Sequence, residues 1–187
     1  MLNPTTPRTS GLLVSEPFML DPNFKRSVVL LTEHDENGTV GYVLNQRSNL
    51  LLRDILEECP EADHAVFVGG PVGGDSLHFI HRCYDRMNSG EEIGNGIYWG
   101  GNFETLKLLV NSGQVEPHEI KFFMGYSGWG VAQLDQEIGQ NSWLVTNHYN
   151  NDIVFLDDEE NLWKEVVIGL GPRYAHIAKF PENPMWN

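Results

Sequence analysis

Cysteine is scarce in this sequence, and its scarcity limits the class of protein that the chain can encode. The 187 residues include two cysteines, Cys59 and Cys83, and neither belongs to a Cys-x-x-Cys pair of the kind that binds zinc. Two thiols are too few for the disulfide framework of a small secreted domain. We expect both to be reduced and structural, in a chain long enough to bury a core without them.

Basic residues are also few. Lysine and arginine number 12 against 26 aspartate and glutamate residues, which gives a formal net charge of −14. Basic side chains supply most of the affinity of proteins for nucleic acids and for anionic lipid surfaces. The charge therefore disfavours direct binding to DNA, RNA or membranes, and no hydrophobic run approaches the roughly 20 residues of a membrane-spanning helix.

The expected organisation is a single domain over residues 11–180, between a flexible N-terminal lead-in at 1–10 and a C-terminal tail at 181–187. Residues 1–10 are polar and lack the apolar segment of a secretory signal, which predicts a cytoplasmic location. The hydrophobic fraction of 41% is that of a globular protein, so we expect a packed core.

Short β-rich runs dominate the first two thirds of the chain. The clearest is a hairpin with strands at 27–33 and 39–44, because Asn37-Gly38 between them is a strong turn signal. Further strands are predicted at 11–14, 65–68, 77–81, 96–99, 120–124, 142–146 and 153–155.

Helices are predicted at 51–58, 103–111, 131–138 and 158–168. Asn102 is a candidate cap of the second, and Asp157 and Glu160 have the spacing of an acidic capping box at the last. The last helix has an apolar stripe, assigned to the core: Leu162, Trp163, Val166, Val167 and Leu170. Strands outnumber helices without a regular strand-helix-strand repeat, which predicts an α+β fold with a mainly antiparallel sheet.

A glycine-rich segment at 69–76 superficially matches a phosphate-binding loop. Asp75 occupies the position of the required lysine, and its carboxylate would repel the phosphates that a lysine attracts. Tight backbone turns are the favoured explanation of these glycines.

A second glycine-rich segment, 125–130, follows a predicted strand and precedes a predicted helix, where a hydrolase would place a nucleophilic serine. Ser127 is the candidate, but Trp129 stands where the G-x-S-x-G elbow requires glycine. We favour a tight strand-to-helix turn.

The histidines do not assemble into a metal site by sequence. On a strand, His81 and Cys83 share one face while His78 points to the other. His34 lies in the hairpin loop, and the acidic run at 157–160 suits a helix N-terminus. We predict no metal, no cofactor and no assembled catalytic group.

Four segments, in order, resemble one bacterial family. They are residues 11–31, residues 34–45, Val-Gly-Gly-Pro-Val at 68–72, and Phe-Met-Gly-Tyr-Ser-Gly-Trp-Gly-Val-Ala-Gln-Leu at 123–134. Together they resemble the YqgE/AlgH family over about residues 11 to 170. The resemblance implies a compact domain whose antiparallel strands curl into a barrel-like sheet with flanking helices. The family commonly has Pro-Gly where this chain has Val131-Ala132, and it accepts Ala at Ser127.

The resemblance implies less about function. Members are usually described as candidate transcriptional regulators, but no helix-turn-helix is evident and the acidity opposes operator binding. We therefore predict a non-enzymatic binding or regulatory module that acts through a protein partner or a small molecule. Its predicted binding surface comprises the polar and aromatic members of the motifs: Asp21, Arg26, Asn45, Gly70, Pro71, Tyr126, Trp129 and Gln133.

Two alternatives stay open, as does the oligomeric state. The surface residues could be structural, with Arg26 paired to Asp21, Asn45 capping a turn and Trp129 in the core. An uncharacterised enzyme, a hydrolase or a nucleotide-using protein, could instead employ the glycine-rich turns. It would need Asp75 or Ser127 beside a histidine in a cleft.

Overall fold

A computed structural model describes residues 5–159 and 161–181 of the chain. Ten strands form its sheet: β1 (Leu12–Ser15), β2 (Val28–Asp35), β3 (Gly38–Val43), β4 (Arg47–Leu51), β5 (Ala65–Val68), β6 (Val72–His81), β7 (Glu91–Gly94), β8 (Ile97–Trp99), β9 (Ile120–Trp129) and β10 (Trp143–Thr146). The helices are α1 (Leu52–Ile55), α2 (Tyr84–Met87), α3 (Phe103–Asn111), α4 (Gln133–Gly139) and α5 (Leu162–Gly169), with 3₁₀ helices at Asn151–Phe155 and Ile177–Lys179. This content confirms the predicted α+β class.

Strand β9 organises the sheet. The strand order is β10-β1-β2-β3-β9-β6-β8-β7, with β5 also paired to β9 and β4 paired to β5. Every pair is antiparallel except β5 with β9. In the described part of the chain β10 and β7 end this path without pairing to each other, so the barrel-like sheet is not closed.

Strand β9 changes neighbours at Gly125. Residues 122–124 pair with β5, whereas residues 127–129 pair with β3. Gly125 has a φ of +69°, and a Cβ atom there would lie 2.7 Å from the carbonyl oxygen of Val72. Glycine meets both demands because it has no Cβ. The strand-to-helix turn predicted at 125–130 is therefore wrong: the strand continues to Trp129, and Gly125 serves the close approach of neighbouring strands.

Successive side chains along the strands point to opposite faces of the sheet, and other parts of the fold pack on both faces. Leu12 of β1 packs in one core cluster with Trp163 of α5, whereas Leu13 packs on the other face with Leu134 of α4. A third cluster places α1 and α3 against β5, β6 and β9. A charged side chain at an inward position of these strands is consequently surrounded by apolar residues.

The hairpin prediction is confirmed, and one predicted strand is wrong. Strands β2 and β3 pair through Asp35 opposite Gly38, and the Asp35 carboxylate accepts a hydrogen bond from the backbone N–H of Asn37. The segment predicted as a strand at 153–155 belongs to a 3₁₀ helix, whose first turn is capped by the Asn150 side chain. Strands β4 and β7 and helix α2 were not predicted, because all three are short and largely polar.

The helix predictions are confirmed in type, and the bounds of all predicted helices except α3 differ from the prediction. Helix α3 has the predicted bounds, and Asn102 Oδ1 accepts a hydrogen bond from the Thr105 N–H at 2.9 Å. Helix α4 begins at Gln133, since Ala132 has a left-handed φ of +59°, and Val131 is 71% exposed rather than packed. No helix in the described residues is long and apolar enough to cross a membrane.

Helix α5 begins at Leu162, later than predicted. Its predicted stripe is buried, with Leu170 partly buried. The predicted capping box cannot be assessed, because Glu160 lies outside the described residues, as does the predicted tail from residue 182 onward. Helix α1 is also shorter than predicted and ends at Ile55, because the chain turns away before Pro60.

Candidate functional site

Most of the eight residues of the predicted surface make contacts within the fold. Asp21 and Arg26 belong to the connection that enters β2, and Asn45 lies between β3 and β4. The Asp21 carboxylate accepts hydrogen bonds from Asn23, so it closes its own turn. The Arg26 guanidinium lies 4.8 Å from the Trp163 ring and donates to the Phe180 carbonyl at 2.5 Å. Arg26 therefore secures the C-terminal segment, and its polar contact is with this carbonyl rather than with Asp21.

Asn45 joins two segments through its side-chain amide. Its Oδ1 accepts from the Val28 N–H at 2.9 Å, and its Nδ2 donates to the Arg26 carbonyl at 2.9 Å. The side chain is buried. The amide therefore satisfies backbone groups at the start of β2, which differs from the predicted turn cap but is likewise structural.

Gly70 and Tyr126 are brought together where β9 passes the start of β6. A Cβ atom at Gly70 would lie 2.3 Å from both Ser127 Oγ and the Tyr126 backbone. Pro71, next in the chain, is exposed. The glycine-rich segment at 69–76 continues into β6 rather than into a helix, so it lacks the helix N-terminus of a phosphate-binding loop.

Trp129 and Gln133 belong to a hydrogen-bonded cluster centred on Glu137. The Glu137 carboxylate accepts from the Trp129 indole at 2.9 Å and from the Trp143 indole at 2.8 Å. Gln133 donates to the same carboxylate at 3.0 Å. Phe24 stacks against the Trp129 indole at a centroid distance of 6.0 Å and meets the Trp143 indole edge to face at 5.4 Å. Trp129 is buried, so its ring fills the space between α4 and the sheet.

The structure separates the residues that the enzyme alternative requires. Ser127 is 0% exposed and donates its hydroxyl hydrogen to the Gly69 carbonyl at 3.0 Å. Asp75 is exposed on β6. The candidate serine is therefore a buried structural hydroxyl, as the favoured structural interpretation requires.

Histidines and cysteines near the end of β6 are packed into the fold. Cys83 Sγ lies 3.7 Å from His81 Nδ1, and His81 Nε2 lies 3.1 Å from the Gly100 carbonyl. His78 instead contacts the rings of Tyr42 and Tyr126. Both cysteines are buried free thiols, and burial raises the pKa of each. Within the described residues, no three His, Cys, Asp or Glu side chains are grouped to hold a metal.

A lysine that the sequence interpretation passed over is the most unusual charged residue of the fold. Lys121 follows the first residue of β9, on the same face as Phe123, and is 3% exposed. Its ammonium donates to the Leu156 carbonyl at 2.6 Å and the Val154 carbonyl at 3.3 Å. It also lies 4.1 Å from the centroid of the Phe67 ring.

Beside Lys121 lies a cavity of about 320 Å³, here named the Lys121 cavity. Strands β4, β5 and β9 form its floor, and the segments that precede β5 and β9 and follow the first 3₁₀ helix form its walls. Its apolar lining is Ala65, Phe67, Pro117, Ile120, Phe155 and Leu156, and its polar lining is Arg47, Asp63, His64, His118, Lys121 and Asp157. A concave, mostly apolar site with a few polar groups is the usual form of a small-molecule site.

Burial controls the ionisation of the two best-enclosed groups in this cavity. Removal from water lowers the pKa of Lys121 to about 7, an effect that the charge of Asp157 opposes in part. Burial also lowers the pKa of His64. His64 Nε2 lies 3.2 Å from the Val115 carbonyl, which can only accept, so this nitrogen carries the hydrogen.

The acidic groups of the cavity already have partners. Asp157 accepts from Arg47 at 2.5 Å, and Asp63 is paired with Arg53 outside the cavity. Among the described residues, no carboxylate oxygen lies within 4 Å of the Lys121 ammonium. Lys121 is therefore a buried basic group without a counter-ion of its own.

The sequence contains a signal for Lys121. The run Ile120-Lys121-Phe122-Phe123 was predicted to be a strand, and a lysine inside such an apolar run has to face one of two covered sides. The other lining residues come from four separate segments, which no pattern in the sequence connects.

Comparisons with known proteins agree on one family. The model described as AlgH-like matches residues 12–175. A UPF0301 protein of Cytophaga hutchinsonii is 39% identical over 178 residues, which cover 94% of this chain and 97% of the relative. A UPF0301 protein of Chlorobium limicola is 37% identical and covers 96% of both chains.

Two solved structures share the fold. The solution structure of the AlgH protein from Pseudomonas aeruginosa has a TM-score of 0.71 and 28% identity, covering 95% of this chain and 97% of that one. A crystal structure of a Corynebacterium diphtheriae protein has a TM-score of 0.75 and 25% identity, covering 94% of each.

Proposed function

The chain belongs to the AlgH-like family, as its motifs predicted, and from this premise we propose that it is a non-enzymatic binding or regulatory module whose ligand is a small molecule held in the Lys121 cavity. The observation that supports this most strongly is the burial of Lys121 beside an open volume of about 320 Å³. The proposal concerns a ligand site, and it assigns no reaction to the protein.

Burying the Lys121 amine has an energetic cost. An ionised lysine loses several kcal/mol of hydration in a protein interior, and apolar residues of similar volume are often more stable there. Groups with strongly shifted pKa values beside a cavity are found preferentially at functional sites. A binding role explains why β9 carries Lys121 among Ile120 and Phe122.

Binding is favoured over catalysis by the contacts of the amine. Two backbone carbonyls and the face of Phe67 surround the Lys121 ammonium, and all three stabilise its charged form. A nucleophilic lysine acts as the neutral amine, which these contacts disfavour although the burial of Lys121 favours it. Ser127 and Asp75 lie outside the Lys121 cavity, so they provide no catalytic partner there.

The cavity also joins parts of the fold that a ligand could hold together. Its lining includes β4 and β5 on one side and the segment around Leu156 on the other. Val154 and Leu156 already bond to Lys121 through their carbonyls. A ligand that contacts both sides stabilises one relative arrangement of them, which is the physical basis for regulating a protein partner.

The test is a small-molecule screen by thermal shift and protein-observed NMR on four proteins. They are the wild type, Lys121→Met, the cavity-filling Ala65→Leu, and Lys164→Met as a control for loss of an exposed lysine. We expect hits that stabilise the wild type and Lys164→Met and lose their effect on Ala65→Leu. Hits that stabilise all four proteins equally, or no hits from a broad library, would contradict the proposal.

A further inference from the structure

Among the residues that the structure describes, the charges around the Lys121 cavity leave one positive group without a partner. Arg47 and Asp157 form one ion pair, and Asp63 is paired with Arg53. These two acidic residues are therefore neutralised by arginines. Lys121 is fixed by neutral carbonyl oxygens alone, which orient the ammonium but do not cancel its charge.

The hydrogen bonds of the Lys121 ammonium also indicate that it can bind a ligand. A lysine ammonium has three N–H donors and no acceptor. Two donors are used on the Val154 and Leu156 carbonyls, at 3.3 and 2.6 Å. One donor is left, and two neighbours of the amine, Phe67 and Leu156, themselves line the cavity. A ligand in the cavity is therefore in reach of the third N–H.

The apolar lining of the cavity determines which chemical groups the rest of such a ligand should have. Phe67, Ile120 and Phe155 are apolar and line the same volume as Lys121. An apolar body gains from leaving water there, at about 25 cal/mol per Å². A strongly hydrated free anion such as inorganic phosphate gains nothing from these walls.

We propose that the Lys121 cavity takes a small organic carboxylate, with its carboxylate bound to the Lys121 ammonium and its apolar body against Phe67 and Phe155. This assignment rests on the proposed function, since it names the ligand class of that same cavity. The carboxylate completes an ion pair that Lys121 lacks within the described part of the chain, and a charge-assisted hydrogen bond of this kind is about twice as strong as a neutral one. The net charge of −14 repels anions elsewhere on the surface, so anion preference marks this cavity.

The experiment uses pairs of probes that differ in charge and little in shape. Benzoate is compared with benzamide, and 2-naphthoate with 2-naphthamide, in NMR titrations of the full chain at constant ionic strength. We expect each carboxylate to bind at least about tenfold more tightly than its amide, the factor that 1.4 kcal/mol represents. Inorganic phosphate is titrated separately, and we expect no saturable shifts at the cavity.

Variants locate the preference. Lys121→Met should bring the carboxylate and amide affinities together while the amide still binds, and Lys164→Met should keep the preference. If Lys121→Met does not fold, Ala65→Leu replaces it and should lose both probes, because Ala65 lines the cavity.

The outcomes separate the two proposals. Equal affinity of carboxylate and amide in the wild type overturns the carboxylate assignment and leaves the cavity as a ligand site. Phosphate binding as tight as that of the carboxylates overturns the proposal that the apolar body of the ligand contributes to its affinity. If no probe binds, the carboxylate assignment fails, and the proposed function is then judged by the broad screen alone.

Discussion

The two halves of β9 differ in what their side chains do, although they are one continuous strand. Residues 125–129 carry a motif shared with the family, and the structure uses them for packing: Gly125 bends the strand, Ser127 bonds to a carbonyl and Trp129 fills a core. Residues 120–124 have no polar motif, but they hold the buried Lys121 beside a cavity. In this strand the family motif therefore marks residues with strict packing requirements. The candidate ligand site is marked instead by the buried charge of Lys121.

The largest effect is expected from Gly70→Ala, which tests the packing role of the motif half. An added Cβ would lie 2.3 Å from the Tyr126 backbone, which cannot move without disturbing β9. We expect a loss of about 3 kcal/mol or more in the free energy of unfolding, measured with denaturant. Gly74→Ala is the matched control, because nothing lies within 4 Å of its Cβ position, and it should be nearly neutral. Equal effects of the two variants would remove the packing explanation.

The other half of the strand is tested by the pH dependence of Lys121→Met. With a pKa of about 7 in the folded protein and an ordinary value when unfolded, the unfolded state binds more protons between about pH 7 and pH 10. The free energy of unfolding of the wild type should therefore rise with pH relative to the variant over this window, by on the order of 3 kcal/mol.

In that comparison the neighbouring titratable groups cancel. Asp63, His64, His118 and Asp157 line the same cavity, with Arg47, and are present in both proteins. A constant stability difference between wild type and Lys121→Met from pH 7 to pH 10 would show that burial does not shift the lysine.

Glu137→Gln tests the cluster that holds the end of β9. The carboxylate accepts from two indole N–H groups and from Gln133, and an amide cannot accept from all three. We expect a loss of about 2 kcal/mol in stability, with a change in tryptophan fluorescence from the altered indole contacts. Ligand binding at the Lys121 cavity should be unchanged. A loss of ligand affinity would instead couple the two halves.

The smallest effect expected is a gain from Ala132→Gly. Ala132 has a φ of +59°, which costs a residue with a Cβ about 1 kcal/mol. Thermal unfolding should therefore show a stabilised variant. A destabilised Ala132→Gly would indicate that the flexibility of glycine outweighs the relief of strain.

Local patterns predicted the fold well where one segment determines the outcome. Asn37-Gly38 gave the hairpin, Asn102 the cap of α3, and the stripe around Trp163 the buried face of α5. The extent of β9 was missed because glycine signals a turn locally, while Gly125 is required by the neighbouring Val72 carbonyl. That contact joins residues more than 50 positions apart, so only the folded chain shows it.

One residue of the candidate site could be predicted from the sequence, but the residues that surround it could not. Lys121 within an apolar strand is visible in the sequence. One of its carbonyl partners, Val154, comes from a segment predicted to be a strand that is instead a 3₁₀ helix, and the other, Leu156, follows that helix. Three residues of the predicted surface, Arg26, Asn45 and Trp129, satisfy contacts within the fold. Single-sequence reasoning could not tell such residues from ligand-binding ones.

The most direct test of the account maps ligand contacts on β9 itself. Backbone amide shifts of the wild type are recorded by NMR with 2-naphthoate and with the strongest hits of the screen. The account predicts that the perturbed amides cluster at residues 64–67, 118–122 and 154–157, around Lys121. Perturbations centred on residues 126–129 and the β2–β3 hairpin would contradict it and restore the motif half of the strand as the binding surface.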